Sequence, residues 1–215
     1  MSTLDVIYWN VYFLHKPASV LRELKEVTKT YKPEIIGLGE AKFMYPIADD
    51  VPGYRRIQLS PRRFNRRTDE RADSAILVRK DVEVLGYRFI RMGMRWRVPR
   101  KTIVRDPRIY VLVRVRHEGR TWKVMVAHWP FGKAQEETKG RVKRWFLRHP
   151  RMPIVHVGDL NARQPEIAAY AKACRAKQTG VGIDRAIYKN IRAAAYKNLG
   201  KRGSDHPMVL FRFTK

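Results

Sequence analysis

The sequence predicts an α/β domain built from layered, mixed β-sheets. Strand-like runs rich in Val, Ile, Tyr and Phe recur along all 215 residues, bounded by Gly, Pro or charged turns. Some neighbouring runs are separated by hairpin-like turns, and others by amphipathic segments of helical period. Hydrophobic residues make up 44% of the chain, enough for a substantial core. No repeat or linker marks a boundary, so we expect one domain over residues 1–215.

The predicted strands are short apolar runs. In chain order they are LDVIYWNVYF, PEIIGLGE, YRRIQL, SAILVRK, VEVLGYRFI, RIYVLVRVR, TWKVMVAHW, MPIVHVGDL, DRAIY and MVLFRF. The first run contains Asp5 and Asn10 and follows no basic leader, which predicts a strand and not a signal peptide. No apolar stretch approaches the ~20 residues that a membrane span needs. We therefore expect an intracellular, cytoplasmic protein, and a monomer.

Three segments have the spacing of amphipathic helices. They are Ala18–Tyr31, Lys133–Arg148 and the alanine-rich Glu166–Lys177. Pro33 and Pro150 follow the first two, and Pro165 precedes the third. Cys174 is the single cysteine and is interpreted as a small buried helix residue. Because one cysteine forms no intrachain disulfide, the fold suits a reducing compartment.

The charge balance points to a polyanionic partner. The chain has 46 Lys and Arg against 20 Asp and Glu, a net charge of +26. Such a protein binds polyanions by displacing their counterions. Nucleic acid, DNA above all, is the first candidate partner, and an anionic membrane surface is the second.

Basic residues are concentrated between Arg55 and Arg108, where 17 Lys and Arg stand against six acids. Aromatic residues lie among these arginines, a combination that grips single strands and nucleic-acid backbones. We expect nucleic-acid contacts from Arg62, Arg63, Arg66, Arg67 and Trp96. The alternative is a solvated charged face.

Polar side chains stand where the apolar runs begin or stop. They are Asn10, Glu40, His128, Asp159, Asn161, Asp184, Asp205 and His206. Strand ends at one rim of a layered α/β fold can converge on a single crevice. The amide and carboxylate oxygens suit Mg²⁺ or Mn²⁺, and the histidines suit proton transfer or phosphate binding. Together they would suffice for metal-assisted phosphoester hydrolysis with water as the nucleophile.

Each of these motifs has a simpler reading when taken alone. Asp159 and Asn161 could form an Asx turn, and Glu40 could be an ordinary turn residue. Asn10 is harder to dismiss, because a buried amide needs hydrogen-bond partners. His156, within a strand, is interpreted as a core histidine with satisfied nitrogens and not as a ligand.

The order of the motifs, WN…GE…HWP…GDLNA…ID…SDHP, resembles the endonuclease/exonuclease/phosphatase superfamily, which includes pancreatic-type deoxyribonucleases and abasic-site endonucleases. The resemblance spans Asn10 to His206, and GDLN and SDHP are its most specific parts. It implies a four-layer α/β sandwich, with two mixed β-sheets packed face to face and helices outside. It also implies Mg²⁺- or Mn²⁺-dependent phosphoester cleavage.

The resemblance also implies a role for each site residue. Glu40 would be the principal metal ligand, with Asn10 and Asp205 nearby. Asp159 would orient or deprotonate the attacking water, and Asn161 would hold a phosphate oxygen. His206 would pair with Asp184 and act on the phosphate or as a general base. His128 would assist the leaving group or bind phosphate. Asp73 is a candidate carboxylate partner for His128.

Several positions depart from the family's pattern. Tyr12 stands where the abasic-site enzymes have an acidic residue, and the run from Ala127 to Pro130 differs from theirs as well. Both differences favour a general nuclease, of the deoxyribonuclease branch. Gly39 stands where the family usually has Gln before the metal-binding Glu, which leaves the surroundings of Glu40 open.

The leading hypothesis is a divalent-metal-dependent nuclease that cuts DNA internally. Two alternatives stay open. GDLNAR and the pair Asp184-Arg185 resemble parts of inositol-phosphatase motifs, which favours a phosphatase or phosphodiesterase acting on inositol phosphates or phospholipids. The other alternative is a nucleic-acid-binding relative without catalysis, although the principal site residues are all present.

Overall fold

The computed structural model describes residues 2–11, 16–41, 47–58, 74–98 and 101–215, with the backbone alone for 47–48, 92–98 and 101–107. Its strands are β1 Thr3–Asn10, β2 Ile35–Gly39, β3 Tyr54–Ile57, β4 Ser74–Arg79, β5 Glu83–Val98, β6 Lys101–His117, β7 Arg120–His128, β8 Ile154–Asp159, β9 Lys177–Val181, β10 Asp184–Lys189, β11 Ala193–Asn198 and β12 Val209–Thr214. Its helices are α1 Pro17–Tyr31, α2 Lys133–Leu147 and α3 Gln164–Ala173, with a 3-10 turn at Ile47–Asp50. None of these described helices is long and apolar enough to cross a membrane.

The strands form two six-stranded mixed sheets. Sheet A has the order β11-β12-β1-β2-β4-β3, and sheet B has the order β5-β6-β7-β8-β10-β9. In sheet A, β1 is parallel to β2 and antiparallel to β12. In sheet B, β7 is parallel to β8, which is antiparallel to β10. The two sheets therefore have the same arrangement at their centres.

Three apolar clusters hold the layers together. The central one lies between the sheets and includes Val6 of β1 and Val126 of β7. Helix α1 covers the other face of sheet A through Leu24, and α2 and α3 cover the other face of sheet B through Phe146 and Ile167. This layering confirms the predicted four-layer α/β sandwich with helices outside.

Two strands were not predicted from the sequence. The third helix ends at Ala173 and does not reach Lys177, which instead begins β9, paired with β10. Between them the chain turns at Arg175, whose φ of 53° lies in the left-handed region. Strand β11 is the alanine-rich AAAYKN at the edge of sheet A, paired with β12. Pairing with a neighbouring strand overrides the weak strand propensity of lysine and glycine in β9 and of alanine, lysine and asparagine in β11.

The basic segment between Arg55 and Arg108 contains the longest hairpin of the fold. Strands β5 and β6 remain paired from Glu83–Arg116 to Val98–Lys101, whereas β7 pairs with β6 only from Val111 onward. The far end of the hairpin therefore extends beyond β7, past the edge at which His128 ends that strand. The predicted contacts Arg62, Arg63, Arg66 and Arg67, and also Asp73, lie outside the described residues, as does the side chain of Trp96.

Candidate functional site

The predicted site residues meet at one edge of the two sheets. Asn10 ends β1 beside the end of β2, and His128 and Asp159 stand side by side at the ends of β7 and β8. Asp184 begins β10 directly opposite Asp159, because β10 runs antiparallel to β8. The same reversal brings the segment before β12, with His206, back to the end of β1.

Asn10 links the two sheets at this edge. Its Nδ2 donates to Oδ2 of Asp159, at 3.2 Å, and to Oε1 of Glu40, at 3.3 Å. The Asn10 side chain is fully buried, and so is nearly all of Asp159. A buried amide that bridges two carboxylates holds both in fixed positions. The expectation that Asn10 needs partners is met by these contacts.

The GDLN segment forms a turn that presents Asp159. The backbone N–H of Asn161 donates to Oδ1 of Asp159 at 2.9 Å, which is an Asx turn. Asn161 has a φ of 44°, and its Nδ2 donates to the carbonyl of Trp129 at 2.6 Å. Gln135 of α2 donates to the backbone carbonyls of residues 160 and 161. The turn therefore leaves Oδ2 of Asp159 facing the other site residues, while one amide proton of Asn161 is already engaged.

His206 and Asp184 form the closest histidine–carboxylate pair of the site. Nδ1 of His206 lies 3.0 Å from Oδ2 of Asp184 and donates to it. This hydrogen bond raises the pKa of His206 to about 9, with burial opposing the rise. Burial raises the pKa of Asp184, and the hydrogen bond from His206 and its charge offset part of that rise. Nε2 of His206 lies 3.7 Å from Oδ2 of Asp159, so the imidazolium faces both carboxylates.

His128 is held by a residue that the sequence did not single out. Nη1 of Arg108, on β6, lies 2.9 Å from Nδ1 of His128. A guanidinium can only donate, so Nδ1 must accept and the imidazole proton resides on Nε2. Nε2 lies 3.7 Å from Oδ2 of Asp159. No local pattern could identify Arg108, because only the pairing of β6 with β7 brings it to His128.

Glu40 follows β2 in a left-handed backbone conformation, with a φ of 51°. A non-glycine residue in this region is strained by about 1 kcal/mol, and such residues often occur at functional sites. Oε1 of Glu40 lies 3.6 Å from Nδ1 of His128. A Cβ at the preceding Gly39 would stand 2.3 Å from the hydroxyl of Tyr8. The buried Tyr8 thus explains why glycine occupies this position.

The SDHP segment is fixed mainly through Ser204, which the sequence did not assign a role. Ser204 Oγ donates to the backbone carbonyl of Asn10 at 2.7 Å and accepts from the backbone N–H of His206 at 3.1 Å. Asp205 is largely exposed, with its Oδ2 4.0 Å from Nε2 of His206. Asp205 therefore lies at the rim of the site, and six predicted residues form its centre: Asn10, Glu40, His128, Asp159, Asp184 and His206.

The donor set fits a hard divalent cation. Asp159, Asp184 and His206 each offer a ligand atom, and these three atoms lie within 4.8 Å of one another. His206 and Asp184 are already joined by their hydrogen bond, however, and Mg²⁺ prefers oxygen to imidazole nitrogen. Glu40 and Asn10, which are hydrogen-bonded to each other, supply oxygen donors that suit a cation bound at the end of β1 and β2.

His156, in β8, is fully buried. Its ring lies 5.7 Å from that of Trp129, and neither ring nitrogen has a hydrogen-bond partner among the described residues. Burial lowers the pKa of His156 to about 3. The residue lies in the core as expected, but the expectation that its nitrogens are satisfied was wrong.

Comparison with known proteins adds a family match. The model of the Endonuclease/Exonuclease/phosphatase family matches residues 7–206. A solved structure of D. rerio TDP2 complexed with single strand DNA product has a TM-score of 0.72, 18% identity and full coverage of both chains. The mannosyl-6-phosphatase of Bacteroides thetaiotaomicron has a TM-score of 0.71 and 15% identity, with 99% of this chain and 100% of that chain covered. The human Nocturnin catalytic domain with bound sulfate has a TM-score of 0.69 and 14% identity, covering 99% and 94%. No curated protein matches the chain.

Proposed function

The chain belongs to the endonuclease/exonuclease/phosphatase family of hydrolases, and on that premise we propose that it is a divalent-metal-dependent nuclease. It hydrolyses phosphodiester bonds of nucleic acid, most readily of DNA and within the strand, by attack of water on phosphorus. The observation that carries this proposal is the position of Asp159, whose Oδ2 lies within hydrogen-bond or ion-pair distance of Asn10, His128 and His206.

Asp159 is suited to orient the attacking water. Its Oδ1 is held by the Asx turn, and Asn10 fixes Oδ2. A carboxylate in this fixed position can accept a proton from water while the oxygen approaches phosphorus. Holding the acceptor in place before the reaction removes much of the entropy cost of that approach.

The two histidines are suited to bind the phosphate. The pKa of about 9 keeps His206 protonated at neutral pH, so it would stabilise negative charge developing on a phosphate oxygen rather than remove a proton from water. His128, with its proton on Nε2, would donate a second hydrogen bond there. Of the two roles considered for His206, binding the phosphate is therefore favoured over that of a general base.

Glu40, Asn10 and Asp205 would hold the metal ion. Asn10 would use its Oδ1 atom, because its amide nitrogen already serves the two carboxylates. Mg²⁺ or Mn²⁺ would supply positive charge to the phosphate and to the leaving oxygen. Asn161 keeps one amide proton for a phosphate oxygen beside its bond to Trp129.

Charge and shape favour nucleic acid as the substrate. The net charge of +26 suits a polyanion. The β5–β6 hairpin extends beyond the edge of sheet B that bears the site, and its sequence, from Arg88 to Arg108, is rich in arginine. The D. rerio TDP2 structure, similar in fold, contains single strand DNA product.

A phosphomonoesterase is the second candidate, supported by the similar fold of the mannosyl-6-phosphatase. The pair Asp184-Arg185 had suggested an inositol phosphatase. Arg185 is buried, however, and its guanidinium donates to the carbonyl of Gly182 and to the side chain of Gln178. An arginine engaged in this way supports β9 and not a substrate phosphate, which weakens this candidate.

A substrate panel tests the proposal. The protein is incubated, with and without Mg²⁺, with supercoiled plasmid, single-stranded DNA, RNA, an abasic-site duplex, a phosphoinositide and a sugar phosphate. We expect Mg²⁺-dependent nicking of the plasmid, which requires internal cleavage, and none by an Asp159→Asn control. Release of phosphate from the sugar phosphate or phosphoinositide, with nucleic acid intact, would refute the nuclease assignment.

A further inference from the structure

A groove of about 470 Å³ lies on the face of sheet B that faces away from sheet A, beside the end of α2. Its floor is a row of three residues across β5, β6 and β7, because Arg114 pairs with Gly86 on one side and with Lys123 on the other. A Cβ at Gly86 would have nothing within 4 Å, so the floor is open above that strand. Lys123 lies on the same strand as His128, about 17 Å before it at ~3.4 Å per residue. The groove is therefore separate from the candidate active site.

Three cations line this groove without a carboxylate partner. They are Arg88, Arg114 and Lys123, and the ion pairs formed by described residues include none of them. Arg114 and Lys123 stand directly opposite each other, and like charges at such positions destabilise a sheet. Burial lowers the pKa of Lys123, and the charges of Arg114 and Arg88 lower it further. An anion in the groove would relieve this repulsion.

Aromatic side chains border the same cations. Trp145 of α2 is half-buried and lines the groove, together with His149. Nδ1 of His149 donates to the carbonyl of Trp145 at 2.8 Å, which leaves Nε2 to serve other partners. Cations with an accessible aromatic ring beside them are the combination that binds single strands, where phosphates contact the charges and bases stack on the ring.

We propose that this groove binds a segment of single-stranded nucleic acid outside the catalytic site. The phosphates would contact Arg88, Arg114 and Lys123, and a base would pack on Trp145. A concave surface favours a strand over a membrane, because insertion into lipid requires apolar side chains that protrude. The inference does not depend on catalysis, since a protein without nuclease activity would still bind through the groove.

The test measures binding in EDTA, where the proposed nuclease reaction cannot occur. Fluorescence anisotropy of a labelled single-stranded oligonucleotide is compared between the wild-type protein and Arg88→Gln/Arg114→Gln. We expect affinity to fall about fivefold to tenfold and the log–log salt slope to flatten by about 1.4, since each phosphate contact on a single strand contributes ~0.7. Trp145→Leu, which keeps an apolar side chain at this position of α2, is expected to weaken binding about threefold or more, by loss of stacking.

A matched control removes two charges from the opposite side of the fold. This control is Arg22→Gln/Lys25→Gln. Both residues are exposed on α1, the helix that covers sheet A. If this control weakens binding as much as the groove variant, net charge alone explains the effect and the proposal is overturned. The proposal is also overturned if Arg88→Gln/Arg114→Gln leaves oligonucleotide binding unchanged. The same holds if this variant loses binding to phosphatidylserine vesicles but still binds the oligonucleotide.

Two further arms separate the groove from the active site. Competition with inorganic phosphate and with a mononucleotide identifies the source of the phosphate: we expect neither to displace the oligonucleotide at equal concentration, and displacement by either would refute a strand site. The substrate bis(p-nitrophenyl) phosphate is too small to reach both sites. Its rate of hydrolysis should therefore be the same in the groove variant and in the wild-type protein. Loss of that hydrolysis would mean that the groove residues support catalysis instead.

Discussion

Nδ1 of His206 lies 3.0 Å from Oδ2 of Asp184, and this contact joins the segment before β12 of sheet A to the first residue of β10 of sheet B. The Asn10–Asp159 hydrogen bond also crosses between the sheets at the site. The geometry of the site therefore depends on how the two sheets are packed, and changes at either contact should be measurable in both activity and stability.

The His206–Asp184 pair predicts a pH-dependent stability of the metal-free protein. The pKa of His206 rises from 6.5 to about 9 on folding, so the folded protein binds this proton more tightly than the unfolded chain does. The stabilisation is fully present below pH ~6.5 and is lost as the pH rises through about 9. Urea unfolding in EDTA should show this decline in the wild-type protein and a smaller one in His206→Gln. Parallel pH profiles of the two proteins would show that the pair does not form.

Substitution of Asp159 should abolish turnover without loss of binding. Asp159→Asn keeps the shape of the side chain but removes the proton acceptor, so we expect kcat to fall by about 10²–10⁴-fold. Affinity for DNA, measured in EDTA, should change little because the basic surfaces are intact. The matched control is Asp49→Asn, at an exposed residue paired with Arg56. Turnover that survives in Asp159→Asn would mean that another group positions the water.

Removal of the metal should stop the reaction. We expect no cleavage in excess EDTA and full recovery with Mg²⁺ or Mn²⁺, because the proposed ligands offer oxygen atoms. Glu40→Gln should raise the Mg²⁺ concentration needed for half-maximal activity about tenfold or more, whereas Glu136→Gln on the surface of α2 should not. Cleavage that is undiminished in chelator would refute the metal assignment.

His156 predicts a gain of stability on substitution. Its buried nitrogens have no partner among the described residues, so His156→Leu should stabilise the fold by about 1 kcal/mol at pH 7. Because the pKa of His156 is lowered to about 3, the unfolded chain takes up a proton as the pH falls below ~6.5 and the folded protein does not. In that range the free energy of unfolding of the wild-type protein should fall by up to about 1.4 kcal/mol per pH unit more than that of His156→Leu. His156→Gln, polar but not titratable, separates the two effects, and equal acid sensitivity in all three proteins would contradict the prediction.

Gly158 is required for the close approach of β7 and β8 beside the site. A Cβ there would stand 2.0 Å from the backbone carbonyl oxygen of Ala127, so the backbones of the two strands would have to move apart. We expect Gly158→Ala to lower the free energy of unfolding by about 1–3 kcal/mol and to displace Asp159. Gly140→Ala in α2 is the matched control, since its nearest contact is 3.8 Å away and alanine favours a helix. Thermal unfolding should therefore shift in opposite directions in the two variants.

Much of the architecture could be predicted from the sequence. Short apolar runs rich in Val, Ile, Tyr and Phe identified most strands, and the three helices were placed within a few residues of their true starts. These patterns indicate burial, on both faces for central strands such as β2 and β8 and on one face for the helices. The missed strands β9 and β11 are short and rich in small or charged residues, and they exist through their pairing with β10 and β12.

The chemical groups available at the site can be read from the sequence: amide and carboxylate oxygens and two histidines at strand ends. How these groups act together depends on the folded arrangement. It placed Asp184 against His206, brought Arg108 to His128 and set the hydroxyl of Tyr8 over Gly39. These contacts join residues far apart in the chain, and their protonation depends on burial and neighbouring charge. A local sequence pattern carries neither the distances nor the burial, so it could predict the members of the site but not their protonation.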